Sequence, residues 1–164
     1  RAATGRRARA GSTLTLTILA AGSIAALGAA CIGGAIAQNA RAGAPLRAQQ
    51  ERVARVSAAL GIDATVIEAG RGVYMTTCTA CHGPQGQALP GLGKDLAHSE
   101  FVRGLNDGGL AQFLKIGRTT WDPMNTTGVE MPGKGGNPAL TDDHLRDVVA
   151  YLRFLQASAA TGPR

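Results

Sequence analysis

Apolar and polar positions divide the chain into stretches of distinct period. From Leu14 to Ala37 there are 24 residues without a charge, nearly all apolar or small: LTLTILAAGSIAALGAACIGGAIA. As a helix this segment would be about 36 Å long, enough to cross a hydrocarbon core of about 30 Å. Further on, Leu46, Val53, Val56 and Leu60 fall roughly on one face of a helix that Pro45 can open and Gly61 can end. Asp63 is placed to cap a helix starting at Ala64. Asp107 is placed to cap a shorter one, with Leu110, Phe113, Leu114 and Ile116 as its apolar positions and Gly117 as its end. Thr141 precedes the most periodic stretch, where Leu145, Val148, Val149, Leu152 and Leu155 line one side. The Gly-rich stretch Gly83–Gly93 has no period and reads as a loop. The elements are all helical, and the expected fold class is all-α.

The uncharged segment admits two readings. Four arginines precede it, which orients a membrane anchor with its N-terminus in the cytoplasm and everything after Ala37 outside. Ala35-Ile36-Ala37 also resembles a signal-peptide cleavage site, but the apolar run exceeds the usual 7–15 residues of such a signal, so an anchor is expected. Gly22, Ala26, Ala30 and Gly34 recur every four residues, a spacing that permits close helix approach and also arises from composition alone. Cys31 has a poor lipoprotein context and reads as a small packing residue. The expected organisation is 1–13 basic N-terminus, 14–37 anchor, 38–62 connector, 63–156 compact domain and 157–164 tail. The connector helix carries Arg47, Arg52 and Arg55 opposite its apolar face. It reads either as a solvated spacer near anionic headgroups or as a docking helix on a partner subunit.

The net charge of +6 is unevenly distributed. Up to Arg55 there are eight basic residues and one acid; from Val56 onward there are nine basic residues and ten acids. The compact part therefore lacks a positive field, and aromatic residues are only 4% of the chain, so no nucleic-acid partner is expected.

The chemistry lies in Cys78-Thr79-Ala80-Cys81-His82, a C-x-x-C-H string of the kind that attaches c-type haem. Two thiols on one helical turn can bond both vinyl groups of one haem, and the adjacent His82 can ligate the iron. A thioredoxin-like C-x-x-C needs a βαβ context that is not visible. A zinc site needs a second ligand pair, and Cys31 lies within the expected anchor, away from the motif. No nucleophile triad, phosphate loop or paired-carboxylate site is present; Asp142-Asp143 reads as a favourable charge at a helix start.

The residues from Asp63 to about Gln156 resemble the class I c-type cytochromes. The resemblance rests on Gly70-x-x-x-Tyr74 before Cys78-x-x-Cys81-His82-Gly83, on the Met131-Pro132 pair, and on the closing helix with Tyr151. Asn125–Pro132 and Gly135–Thr141 are similar to membrane-bound monohaem cytochromes of bacterial respiratory chains. The resemblance implies a haem domain following one transmembrane helix, with Gly70 allowing close contact against Tyr151. It also implies a proline carbonyl as acceptor for the second ring N–H of His82, for which Pro90 is chosen over Pro84. Tyr74, Trp121 and Arg118 are counted as haem contacts, the last two toward the propionates.

For the second axial ligand the candidates are Met75, Met124, Met131, His98 and His144. Met75 lies on the helix that carries the thiols, and His144 in the first turn of the last helix. Met131, before Pro132, is the first choice; Met124, His98 and a free sixth position stay open behind it. The expected function is single-electron transfer by one covalent haem c, with no catalysis of its own. Its expected setting is the bacterial cytoplasmic membrane, with the haem domain in the periplasm. There it would act beside respiratory-complex subunits and redox partner proteins, between a quinol-oxidising complex and a terminal oxidase. The alternatives are a haem sensor or catalytic module with an open iron site, and an electron-transfer subunit of a periplasmic dehydrogenase.

Overall fold

The structure is a computed structural model and describes residues 43–161. The segment 14–37, with Cys31 and the small-residue spacing, lies outside the described residues. The chain divides into a unit Arg1–Ala48 and a unit Gln49–Arg164, and the second is described below. Its elements are α1 (43–60) from Gln49 on, α2 (Ala64–Thr77), α3 (Thr79–His82), α4 (Glu100–Gly104), α5 (Asp107–Ile116), β1 (Gly117–Arg118), β2 (Met131–Pro132), a 3-10 turn (Gly133–Gly136) and α6 (Asp142–Thr161). Among the described residues, no helix is long and apolar enough to cross a membrane.

Asp63 caps α2, its carboxylate accepting from the Thr65 N–H at 2.7 Å. Ile67, Gly70 and Tyr74 are buried on one face of α2 at helical spacing. That face makes the largest interface in the domain, against α6. The close approach occurs at Gly70, where an added Cβ would lie 1.9 Å from the Asp147 carbonyl oxygen and 3.1 Å from Tyr151 Cβ. Tyr74 and Tyr151 then meet with ring centroids 5.1 Å apart, and Tyr151 stacks on Phe154 at 5.7 Å. The expected contact of Gly70 with Tyr151 is therefore present.

α6 starts where Thr141 predicts, the Thr141 hydroxyl accepting from the His144 N–H. It is buried almost all round from Val148 to Gln156 rather than along one stripe. The extra coverage is polar as well as apolar. Gln156 donates to the Ser99 carbonyl at 3.1 Å, and Arg153 donates to the carbonyls of Val102 and Leu105 at the end of α4. Those carbonyls have no partner within so short a helix, and Arg153 satisfies them. α4 itself was not expected; Ser99 caps it through the Val102 N–H.

Two expectations need correction. The cap of α5 is Asn106, which accepts from the Gly109 N–H at 2.8 Å, while Asp107 accepts from Arg153 Nε at 2.9 Å. The connector helix is not a free spacer along the part that lies in this unit. Val53 and Val56 are buried in the same core as Ile67, Tyr74 and Phe154, and the Arg52 guanidinium lies 5.5 Å above the Phe154 ring. Gly61 ends α1 with φ +66°, as anticipated.

Candidate functional site

α2 ends at the motif. The Cys78 N–H donates to the Tyr74 carbonyl at 2.8 Å, and the His82 N–H to the Cys78 carbonyl at 3.0 Å. Helical backbone thus carries both thiols and the imidazole, until Gly83 (φ +73°) turns the chain away. The Tyr74 hydroxyl, fully buried, donates to the Gly83 carbonyl at 2.7 Å and pins this turn. Burial raises the Tyr74 pKa, so the phenol keeps its proton. Cys78 and Cys81 form no disulfide; before attachment, burial and then the neighbouring Cys81 push the Cys78 thiol up to about 11.

His82 is buried, and its Nδ1 lies 2.8 Å from the Lys94 carbonyl oxygen. A carbonyl only accepts, so Nδ1 carries the proton and Nε2 keeps a free lone pair. Burial lowers the pKa of the ring, opposed by the Lys94 bond, and favours the neutral, ligating form. The acceptor is Lys94 and not Pro90. The chain turns at Pro90-Gly91, leaving Pro90 exposed, and returns at Gly93. A Cβ on Gly93 would lie 2.4 Å from the Cys81 carbonyl oxygen and 3.0 Å from His82 Nδ1. Glycine lets the backbone press against the motif, and this sets the next carbonyl, that of Lys94, on the imidazole.

The motif opens onto a cavity of ≈ 700 Å³. Tyr74, Cys78, Cys81, His82, Arg118 and Met131 all line it, with Leu110, Leu114, Leu145 and Leu152 among the apolar walls. Met124 and His98 line it too, but Met131 is partly buried and packs on the core, whereas Met124 is 62% exposed and His98 is exposed and paired with Asp95 at 2.9 Å. Met75 and His144 are exposed and do not line the cavity. Trp121 is 90% exposed and does not line it either. Its expected place at the propionates is corrected: the consecutive turns Thr119–Asp122 and Asp122–Asn125 carry it outward.

Arg118 lines the cavity, in surroundings not legible from sequence. Its guanidinium lies 4.6 Å from the Phe101 ring centroid and 5.0 Å from that of Phe113. Its Nη1 donates to the Met124 carbonyl, and its Nε sits 3.2 Å from Asp122 Oδ2 without hydrogen-bond geometry. The buried Nε therefore lacks a hydrogen-bond partner among the described residues. An Nε–H without an acceptor at the wall of an apolar cavity suits a planar apolar group that carries carboxylates, and haem is such a group. Among the described residues, no three His, Cys, Asp or Glu side chains cluster as a metal site.

A helical domain whose C-x-x-C-H motif and neutral histidine open onto a large apolar cavity is a class I c-type cytochrome. The chain belongs to the family described as cytochrome c oxidase, cbb3-type, subunit III, whose model matches residues 65–152. It is also 31% identical over 85 residues to cytochrome c-555 of Chlorobaculum thiosulfatiphilum, an overlap of 51% of this chain and 90% of that protein. No solved structure matches it. Members of these families bind haem c covalently and transfer electrons; in this chain Cys78 and Cys81 carry the thioether positions.

Proposed function

We propose that this chain is a membrane-anchored monohaem cytochrome in which His82 and Met131 are the axial ligands. The observation that carries the ligand assignment is that, of the two methionines lining the cavity with His82, Met131 on β2 is partly buried against the core while Met124 is 62% exposed. When bound, haem supplies a one-electron couple, and His/Met ligation favours a high potential. The protein's own groups set the conditions. Lys94 holds the His82 proton on Nδ1. The apolar walls exclude water. The Arg118 cation packs on the paired Phe101 and Phe113 rings, where it would meet carboxylates. With both axial positions filled, the site passes electrons without binding a substrate.

The setting we infer is a respiratory complex of the bacterial cytoplasmic membrane, with the domain in the periplasm and segment 14–37 as anchor. The description of the matching family supports this setting, and the uncharged run after four arginines supports the anchor. Electrons would arrive from a quinol-oxidising complex and leave to a terminal oxidase. The test replaces each methionine. Met131→Ala should lose the weak far-red charge-transfer band of Met-ligated ferric haem and open the ferrous iron to carbon monoxide. Met124→Ala should do neither. The opposite pattern would move the ligand to Met124, and a wild type without the band that binds carbon monoxide freely would favour the open-site sensor.

A further inference from the structure

Met131 sits on a ribbon too short to hold itself. β1 and β2 pair for two residues each, with Gly117 opposite Pro132 and Arg118 opposite Met131. A two-stranded ribbon of that length is unstable alone, and a twelve-residue loop, 119–130, joins its strands. Something must close the loop for the Met131 backbone to have a defined place.

We infer that Asn125 is a positioning residue for the distal ligand: it ties the two ends of loop 119–130 together and so fixes β2 and Met131. This rests on Met131 being that ligand. Asn125 Nδ2 donates to the Thr119 carbonyl at 2.9 Å and to the Val129 carbonyl at 2.8 Å. Thr119 follows β1 directly, and Val129 lies two residues before Met131. On its other side, Asn125 Oδ1 accepts from the N–H groups of Thr127 at 3.1 Å and Gly128 at 3.0 Å. The amide orientation is dictated by these partners, since carbonyls only accept and N–H groups only donate. One side chain therefore holds four backbone groups of the loop. Two of them are the ends that must meet for the ribbon to pair. Arg118, across the ladder from Met131, reinforces the closure by donating to the Met124 carbonyl.

The substitution that separates tying from shape is Asn125→Asp. It keeps the size of the side chain and the Oδ1 acceptor for Thr127 and Gly128, but puts an acceptor oxygen in place of the NH2 that donates to Thr119 and Val129. Each lost bond shifts a local equilibrium by about two- to tenfold. The full-length haem-loaded variant should show a weakened far-red band and bind carbon monoxide about tenfold faster than wild type, with thioether attachment intact. Asp63→Ala serves as the control, because it removes a helix cap outside both this loop and the cavity lining; its band and carbon monoxide binding should match wild type. An Asn125→Asp protein with wild-type band and binding overturns the inference. So does an equal change in both variants, which would show general loosening only. If Met131→Ala keeps the band, the ligand reading itself is wrong and the inference falls with it. Should Asn125→Asp yield no haem-loaded protein, amide exchange in the wild type decides. Slow exchange of the Thr127 and Gly128 N–H groups supports the tie, and exchange at the rate of free loop amides refutes it.

Discussion

Gly70→Ala is the most informative single change to the fold. An ordinary Cβ contact is 3.4 Å or more, but at Gly70 the new methyl would lie 1.9 Å from the Asp147 carbonyl oxygen and 2.4 Å from its carbon. Relief needs roughly 1.5 Å of separation between α2 and α6, because a backbone carbonyl cannot rotate aside as a side chain would. A gap of 0.5–1 Å already forfeits about a quarter to a half of each dispersion contact along a packed face. Overpacking of this kind costs about 3 kcal/mol, and alanine's better helix propensity returns about 1 kcal/mol, so the net loss should be at least about 2 kcal/mol. For a domain of this size the melting temperature should fall by about 8 °C. Gly72 lies on the same helix, is exposed, and has nothing near its Cβ position. Gly72→Ala gains the propensity without the clash and should stabilise by up to about 1 kcal/mol. Urea unfolding of the two haem-loaded variants, followed by far-ultraviolet circular dichroism, reads the difference. A Gly70→Ala protein as stable as wild type would refute the claim that α2 and α6 meet through that glycine.

Acid–acetone extraction should leave the haem on the polypeptide, since Cys78 and Cys81 hold it covalently; haem in the organic phase would contradict the attachment. Acid stability should depend on Asp63, whose pKa is lowered from 3.8, first by the Thr65 hydroxyl and then by its N–H. A lowered carboxylate contributes stability that is full above its unfolded pKa and is lost as pH falls through the folded one. Asp63→Asn should therefore flatten the acid limb of the stability curve below about pH 4 and leave its shape near neutrality unchanged. An unaltered acid limb would show that the cap carries no pH dependence.

The parts of the fold legible from sequence were those written in neighbouring residues. Asp63 and Thr141 as helix starts, Gly117 and Gly61 as ends, and the C-x-x-C-H string need only local chemistry. The misreadings occur where distant partners decide. Asn106 and Asp107 are equally good caps by type; Arg153, 46 residues away, engages Asp107 and leaves the cap to Asn106. Pro90 was favoured because a proline carbonyl was looked for, yet the turn through Gly91 and Gly93 delivers Lys94 instead. Trp121 was placed at the propionates on residue type alone, and turn geometry takes it into solvent. The β1–β2 ladder is two residues long, too short to show a period of two, and the Asn125 closure leaves no trace beyond an asparagine in a polar loop.

The connector carries the same lesson into energetics. Val53 and Val56 looked like one face of a spacer, but both are buried in the domain core. Fully burying a valine contributes about 1.5–3 kcal/mol, an upper figure because the unfolded chain already buries some of it. Two such residues supply at most about 3–6 kcal/mol, which reaches the lower end of the net stability of a small domain, about 5–15 kcal/mol. Yet α1 lies outside residues 65–152, which carry the family match, and none of its residues lines the cavity. Cys78, Cys81, His82, Lys94, Arg118 and Met131 all fall inside that stretch. The chain thus separates two tasks along its length: 65–152 build the haem site, and the second half of α1 adds apolar burial behind Phe154 without touching it. Substitutions at Val53 or Val56 therefore belong with stability, while those at Asn125 and Met131 belong with the iron's ligands.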